Sequence, residues 1–202
     1  MKLRISLFFY ILGCVWFSHS QDIGLFNQFN GRYDYTAIGN TLNISENGSF
    51  GLCDILTSSS ADLILDTNQN VIAAYLYWAG SGNGDFDILL NGTEVTAERT
   101  FSDALDETRV FFAAFADVTD IISDQESATY TVSEFDISSV IAPFCPTGTN
   151  FGGWAITVIY EDASLPLNQL NIYDGLQSVP ESLTITLDNL NVLDNDNAKI
   201  GF

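Results

Sequence analysis

Residues 71–79 read Val-Ile-Ala-Ala-Tyr-Leu-Tyr-Trp-Ala, apolar at odd and even positions alike. Successive side chains of a strand point to opposite faces of its sheet, so a strand with no polar face is a central one, covered on both sides. Two other runs share this character. In residues 108–115, Arg109, Phe111, Ala113 and Phe115 fall on one face and Val110, Phe112 and Ala114 on the other. In residues 154–160, Trp154, Ile156, Val158 and Tyr160 alternate with Ala155, Thr157 and Ile159. Residues 182–188 set Leu183, Ile185 and Leu187 against Thr184, Thr186 and Asp188, the pattern of a half-exposed strand. Weaker strands are expected at 33–38, 86–90, 94–101, 128–132 and 170–173.

Turn chemistry punctuates these runs. Asn91-Gly92 between two short strands is a strong hairpin signal, because both residues tolerate positive φ. Asn47-Gly48 and Gly152-Gly153 mark further turns, and Gly80-Ser81-Gly82-Asn83-Gly84 reads as a flexible loop. One short helix is expected at 118–123, with Asp117 as its N-cap and Ile121 and Ile122 turned to the core. Many short strands with at most one short helix predict an all-β, two-sheet sandwich, jelly-roll-like in architecture.

The chain has 202 residues, the length of one domain with a short appendage. Its start, Met1-Lys2-Leu3-Arg4, an apolar run over 5–17 and then Ser18-His19-Ser20, has the form of a signal peptide with cleavage after Ser20 or Gln21. The leader is therefore residues 1–20 and the sandwich 21–202. A buried N-terminal helix is the structural alternative. Ile11-Leu12-Gly13-Cys14 is a degenerate lipobox, so cleavage before Cys14 is a further alternative. Apart from this leader, no segment is long and apolar enough to cross a bilayer. At the other end, residues 199–202 read as the opening of another strand, and the chain is expected to be a fragment of a longer protein.

Removing the leader takes away Lys2 and Arg4. Four basic residues (Arg32, Arg99, Arg109 and Lys199) then face 26 acids, a formal charge of −22. Such a surface repels nucleic acid and anionic lipid. It suits an extracellular protein, whether acidic for solubility alone or for adsorbing divalent cations. A hydrophobic content of 47% argues against disorder.

His19, the one histidine, leaves with the leader, which excludes Ser/His/Asp and Cys/His hydrolysis in the mature chain and argues against zinc. Cys53 and Cys145 remain. In an exported chain the simplest use of an even pair is a disulfide, with two buried thiols as the alternative. Paired carboxylates can hydrolyse glycosides, and Glu161-Asp162 is the best-looking pair, but neighbours on a strand point apart. The expectation is thus a non-enzyme, with glycoside hydrolase or lyase as the catalytic alternative.

Calcium takes six to eight oxygens, often from loops rich in Asp and Asn. Three loops offer that chemistry: Asp66 with Asn68, Asp85 with Asp87, and Asp194 with Asp196. The last opens like an EF-hand, then departs from it at Ala198 and Lys199. Ordinary solvated turns use the same residues. No cofactor is otherwise expected. Tyr75, Tyr77, Trp78, Trp154 and Tyr160 are candidates for a sugar-stacking platform, although their place in apolar strands favours the core. Asn43, Asn47 and Asn91 open Asn-x-Ser/Thr sequons, which matter only in a eukaryotic secretory route.

Two stretches carry a resemblance. One is residues 73–82, Ala-Ala-Tyr-Leu-Tyr-Trp-Ala-Gly-Ser-Gly. The other is residues 150–162, Asn-Phe-Gly-Gly-Trp-Ala-Ile-Thr-Val-Ile-Tyr-Glu-Asp, followed by Leu165-Pro166-Leu167 and by Asn171-Ile172-Tyr173-Asp174-Gly175-Leu176. Over roughly residues 29–202 the chain resembles the N-terminal region of Bacteroidetes surface or secreted proteins that end in a gliding-motility-associated, type IX secretion sorting domain. The resemblance implies a secreted or surface-bound adhesion-type module with an extracellular protein or glycan ligand and further modules downstream. The shared motifs are strand and turn patterns and transfer no site residues. Neither repeats nor a sorting domain occur in these 202 residues.

Overall fold

The computed structural model describes residues 23–46, 52–124, 127–177, 182, 184–187, 190 and 198–201. The leader and the loop of Asp194 and Asp196 lie outside them. The strands are β1 (Gly24–Gly31), β2 (Tyr33–Thr41), β3 (Ser59–Leu63), β4 (Asn70–Ser81), β5 (Asp87–Leu90), β6 (Thr93–Thr96), β7 (Arg99–Ala104), β8 (Val110–Asp117), β9 (Ala128–Ser133), β10 (Gly152–Glu161) and β11 (Asn168–Asp174). Among the described residues the helical elements are a short α-helical turn, α1 (Thr119–Ser123), and a 3₁₀ helix (Ala142–Thr147).

The chain is an all-β sandwich. A five-stranded antiparallel sheet, ordered β2-β10-β4-β8-β7, packs on a four-stranded one, ordered β3-β9-β5-β6. Expectation and structure differ in that β1 and β11 form a third, two-stranded sheet. This ribbon lies against the outer face of the five-stranded sheet, so the fold has three layers.

The double-sided strands explain why. On β4 the even positions Ala74, Leu76 and Trp78 join the main core with Phe112, Ala114, Ile156 and Val158. The odd positions Ala73 and Tyr75 enter a second core with Phe101, Phe115 and Ile159, against which Phe26, Phe29, Leu170 and Ile172 of the ribbon pack. Burying both faces removes from water what would otherwise be an exposed apolar sheet, at about 25 cal/mol per Å² of apolar surface.

The Asn91-Gly92 hairpin forms as expected, with φ of 50° and 80° and Leu90 opposite Thr93. Other boundaries move. The expected strand at 94–101 is two strands in different sheets, β6 and β7, with the chain crossing between them at Ala97 and Glu98. Gly80 and Ser81 are not loop residues but the buried end of β4, where Ser81 Oγ donates to Thr149 O at 2.8 Å. Gly152 and Gly153 open β10 instead of turning. A Cβ on Gly152 would lie 2.9 Å from the Phe135 ring, so glycine permits the close approach there. Among residues 182–188, those described lie in no strand, and Ile185 and Leu187 are exposed.

The helix starts one residue late. Val118 is its N-cap, and Asp117 instead accepts hydrogen bonds from Thr119 N and Oγ1 at 2.9 and 2.5 Å. Ile122 is fully buried, and Ile121 packs on the same core. The 3₁₀ helix carries no helical pattern in the sequence, since Pro143 and Pro146 interrupt it.

Cys53 and Cys145 are bonded, their Cα atoms 5.5 Å apart across 92 residues. The bond ties the loop before β3 to the 3₁₀ helix. Next to it, Asn43 Nδ2 donates to Asn150 O at 2.9 Å and Gly152 N donates to Asn43 Oδ1 at 3.0 Å. Among the described residues no helix is long and apolar enough to cross a membrane.

Candidate functional site

The two described acidic loops, those of Asp66 and of Asp85, do not assemble into one centre. Asp66 N is held by Gln69 Oε1 at 2.9 Å, and Asn68 turns away to donate from Nδ2 to Asp162 Oδ2 at 2.7 Å. Asp85 caps the far side of the sandwich: its Oδ2 accepts from Asp136 N at 2.6 Å, and its carbonyl accepts from Trp78 Nε1 at 2.7 Å. Asp87 Oδ1 accepts from Thr96 Oγ1 at 2.7 Å across the β5–β6 hairpin. Asp85 and Asp87, two residues apart, thus serve different neighbours. Among the described residues no three carboxylate, histidine or cysteine side chains group as a metal centre.

One depression gathers acids that spacing does not reveal. Asp87, Glu94 and Glu134 rim it, with Thr96 and the flanks of Ile88, Leu89 and Val95, around a volume of about 290 Å³. Glu94 comes from the neighbouring strand of the hairpin, and Glu134 follows β9 with φ of 63°. Sequence distance hid the grouping; only the pairing of β5 with β6 and β9 creates it.

The aromatic candidates are mostly core. Trp78, Trp154, Tyr75 and Tyr160 are buried, and Trp154 Nε1 donates to Ser59 Oγ at 2.8 Å. Tyr77 is half-buried and donates from its hydroxyl to Asp174 Oδ2 at 3.1 Å. Burial first, then the adjacent Asp174 charge, drives the Tyr77 hydroxyl far above its ordinary value. Burial raises the Tyr75 hydroxyl as well, while Asn27 Nδ2 donates to it at 2.8 Å. Neither tyrosine is poised to ionise near neutrality.

Asp174 is the centre of a cluster that spacing did not single out. Arg99 grips it with both nitrogens, Nη1 to Oδ2 at 2.7 Å and Nη2 to Oδ1 at 2.9 Å. The guanidinium also lies 4.5 Å from the Phe26 ring centre, 5.1 Å from Phe101 and 5.4 Å from Phe115. A planar fork on a carboxylate, flanked by aromatic faces, is the geometry in which arginine binds most strongly. The one signal in the sequence is the scarcity of cations, Arg99 being one of four basic residues left after the leader.

Two sequon asparagines are engaged by the fold. Asn43 bridges to the β10 entry as described above, and Asn91 Oδ1 accepts from Thr131 N at 2.7 Å. Asn47 lies outside the described residues.

No protein family, curated protein or solved structure matches the chain.

Proposed function

We propose that the chain is a non-catalytic extracellular module of a bacterial cell-surface or adhesion-type protein, acting by binding or as architecture. One observation carries this reading: Cys53 and Cys145 are joined in a chain that opens with an export-type leader. Disulfides persist in oxidising compartments, so leader and bond favour the same side of the membrane. The formal charge of −22 after cleavage supports an aqueous, non-nucleic-acid setting. The resemblance to sorting-domain proteins of the Bacteroidetes adds a route to the surface.

The test is expression behind the native leader, followed by intact mass of the recovered protein. The expected product begins at Gln21 or Asp22 and resists alkylation until reduced. An uncleaved chain carrying alkylated Cys53 and Cys145 would overturn the reading. Sustained product release from a polysaccharide mixture would replace it with the hydrolase or lyase alternative.

A calcium-dependent carbohydrate-binding module is the second reading; what supports it is the formal charge of −22 after leader cleavage, with Asp87 and Glu94 on the paired strands of one hairpin. Calcium at about 100 times its Kd stabilises a folded site by about 2.7 kcal/mol. Melting in millimolar calcium and then in chelator should differ by several degrees if calcium binds there, and identical curves would remove this reading.

A further inference from the structure

The ribbon differs from the rest of the fold in how it is attached. β1 and β11 pair with each other from Gly24 opposite Asp174 to Gly31 opposite Asn168, as a sheet separate from the five-stranded one. No residue of either strand is fully buried. Beneath them the five-stranded sheet has its own complete ladders, with β4 paired to β10 and β8. Lifting the ribbon would therefore break no strand pairing of the sandwich.

The two ends of the ribbon are unlike. At the Gly31–Asn168 end the chain runs through Arg32 directly into β2, and through the 162–167 loop back to β10. That end is held close: Asp162 N donates to Arg32 O at 3.0 Å, the Arg32 guanidinium donates to Leu165 O, and Asn168 Nδ2 donates to Tyr33 O at 2.6 Å. At the opposite end sits Asp174, its side chain 8% exposed, gripped by Arg99 of the edge strand β7 and by Tyr77 of β4. One end is a hinge and the other a clasp.

We infer that the β1–β11 ribbon is a strap that opens as one unit on an intact sandwich, hinged at Arg32 and closed by the Arg99–Asp174 clasp. The physics favours a cooperative unit. The two strands share one ladder and one apolar seam, so neither is stable without the other. Opening returns a nearly buried carboxylate and a half-exposed guanidinium to water, which offsets part of the lost pair energy. Closure therefore depends on both partners of the clasp, since a single remaining charge would be left uncompensated. Opening bares Tyr75, Phe101 and Phe115 on the outer sheet face.

The test is native-state hydrogen exchange on the mature protein, read by mass spectrometry. Peptides from β1 and β11 are expected to exchange at one shared rate, faster than those of β4 and β10. Asp174→Asn is expected to raise that shared rate about ten-fold or more, in keeping with the loss of a charged hydrogen-bonded pair, and to leave β4, β8 and β10 unchanged. Arg99→Lys, which retains charge without the fork, should give a smaller rise. The inference fails if β1 and β11 of the unaltered protein exchange only at the global unfolding rate. It fails equally if they exchange at unrelated rates, or if Asp174→Asn accelerates every strand alike. Should Asp174→Asn not fold, the unaltered protein in graded denaturant decides alone, because a strap shows a shallower denaturant slope than β4.

Discussion

The five-stranded sheet has two covered faces, and they are covered in different ways. On the inner face Trp78, Phe112, Ile156 and Val158 meet a second full sheet whose own residues, such as Tyr130, Val132 and Leu90, are also buried to the last few per cent. On the outer face Tyr75 and Phe115 are equally hidden, but what hides them is a ribbon with no fully buried residue of its own. The sheet side of the two interfaces looks alike; the covering side does not. Burial of a residue therefore says little about the stability of whatever buries it. The inner face is locked by close packing over a wide area, whereas the outer face relies on a small set of apolar side chains, the Asn27–Tyr75 hydrogen bond and one charged clasp.

Paired truncations test this contrast with the largest expected effect. Trp78→Ala removes a side chain 1% exposed together with its hydrogen bond to Asp85 O. It should lower global stability by about 3–5 kcal/mol. Phe26→Ala, on the ribbon and stacked edge-on to Phe115 with centroids 4.9 Å apart, should leave the midpoint of the main transition almost unmoved while loosening β1 and β11. Denaturant titration followed by tryptophan fluorescence reads the first effect, and exchange reads the second. Equal losses of global stability would show that ribbon and sandwich unfold together.

The next effect belongs to the sandwich alone. The disulfide closes the chain between Cys53 and Cys145, both packed on the inner core, and has no contact with the ribbon seam. Replacing both cysteines by serine should cost about 2–4 kcal/mol, chiefly through the unfolded chain. Ribbon exchange should keep its rate. A faster ribbon in the serine variant would mean that the two covers are coupled through the sheet.

What was legible in the sequence follows the same division. The strands β4, β8 and β10 announced themselves because both of their faces are apolar, and that signal already required two covers. The second cover could not be identified, because β1 carries a register shift between Leu25 and Asn27 that spoils the period-two pattern of Leu25, Phe26 and Phe29. β3 gives no period-two signal for a different reason: as a short edge strand reading Ser-Ser-Ala-Asp-Leu it is polar where edges generally are. Residues 182–188 alternate well yet lie outside any strand where described, since alternation supplies a face but not a partner. The cysteine pair is legible from its even number in a chain with an export-type leader, with two free thiols as the alternative that the bond excludes. The grouping of Asp87 with Glu94 and Glu134, and of Arg99 with Asp174 75 residues away, exists only once the strands are paired.

A smaller effect tests how tightly the inner face is packed. A Cβ on Gly80 would stand 3.0 Å from the Phe112 ring, 3.1 Å from Phe135 and 3.1 Å from Phe151 O. Gly80→Ala should therefore cost about 1–3 kcal/mol by overpacking, visible as a lower melting temperature. Little or no cost would mean that the rings shift freely and that the inner face is looser than its burial implies.

The smallest expected effect concerns the hinge, and its sign depends on pH. Asp162 accepts from Ser164 Oγ at 2.7 Å, from Ser164 N at 2.8 Å and from Asn68 Nδ2 at 2.7 Å. The Ser164 bonds above all, then Asn68, hold its carboxyl below the usual carboxylate range, against an opposing contribution from burial. A carboxyl depressed in the folded state binds its proton more readily when unfolded. Its contribution is therefore complete above the ordinary value of about 4 and is lost as pH falls through the depressed one. Asp162→Asn keeps an acceptor for Ser164 but removes the charge. The melting temperature of the unaltered protein should exceed that of the variant at pH 6, and the gap should narrow below about pH 4. Asp106, held down by Arg109, and Asp136, held down by Ser138, titrate in the same direction in both proteins, so the difference between the two curves isolates Asp162. A gap that widens toward acid would reverse the assigned shift. A gap confined to ribbon exchange, with the main transition unmoved, would place the effect at the hinge instead of in the sandwich.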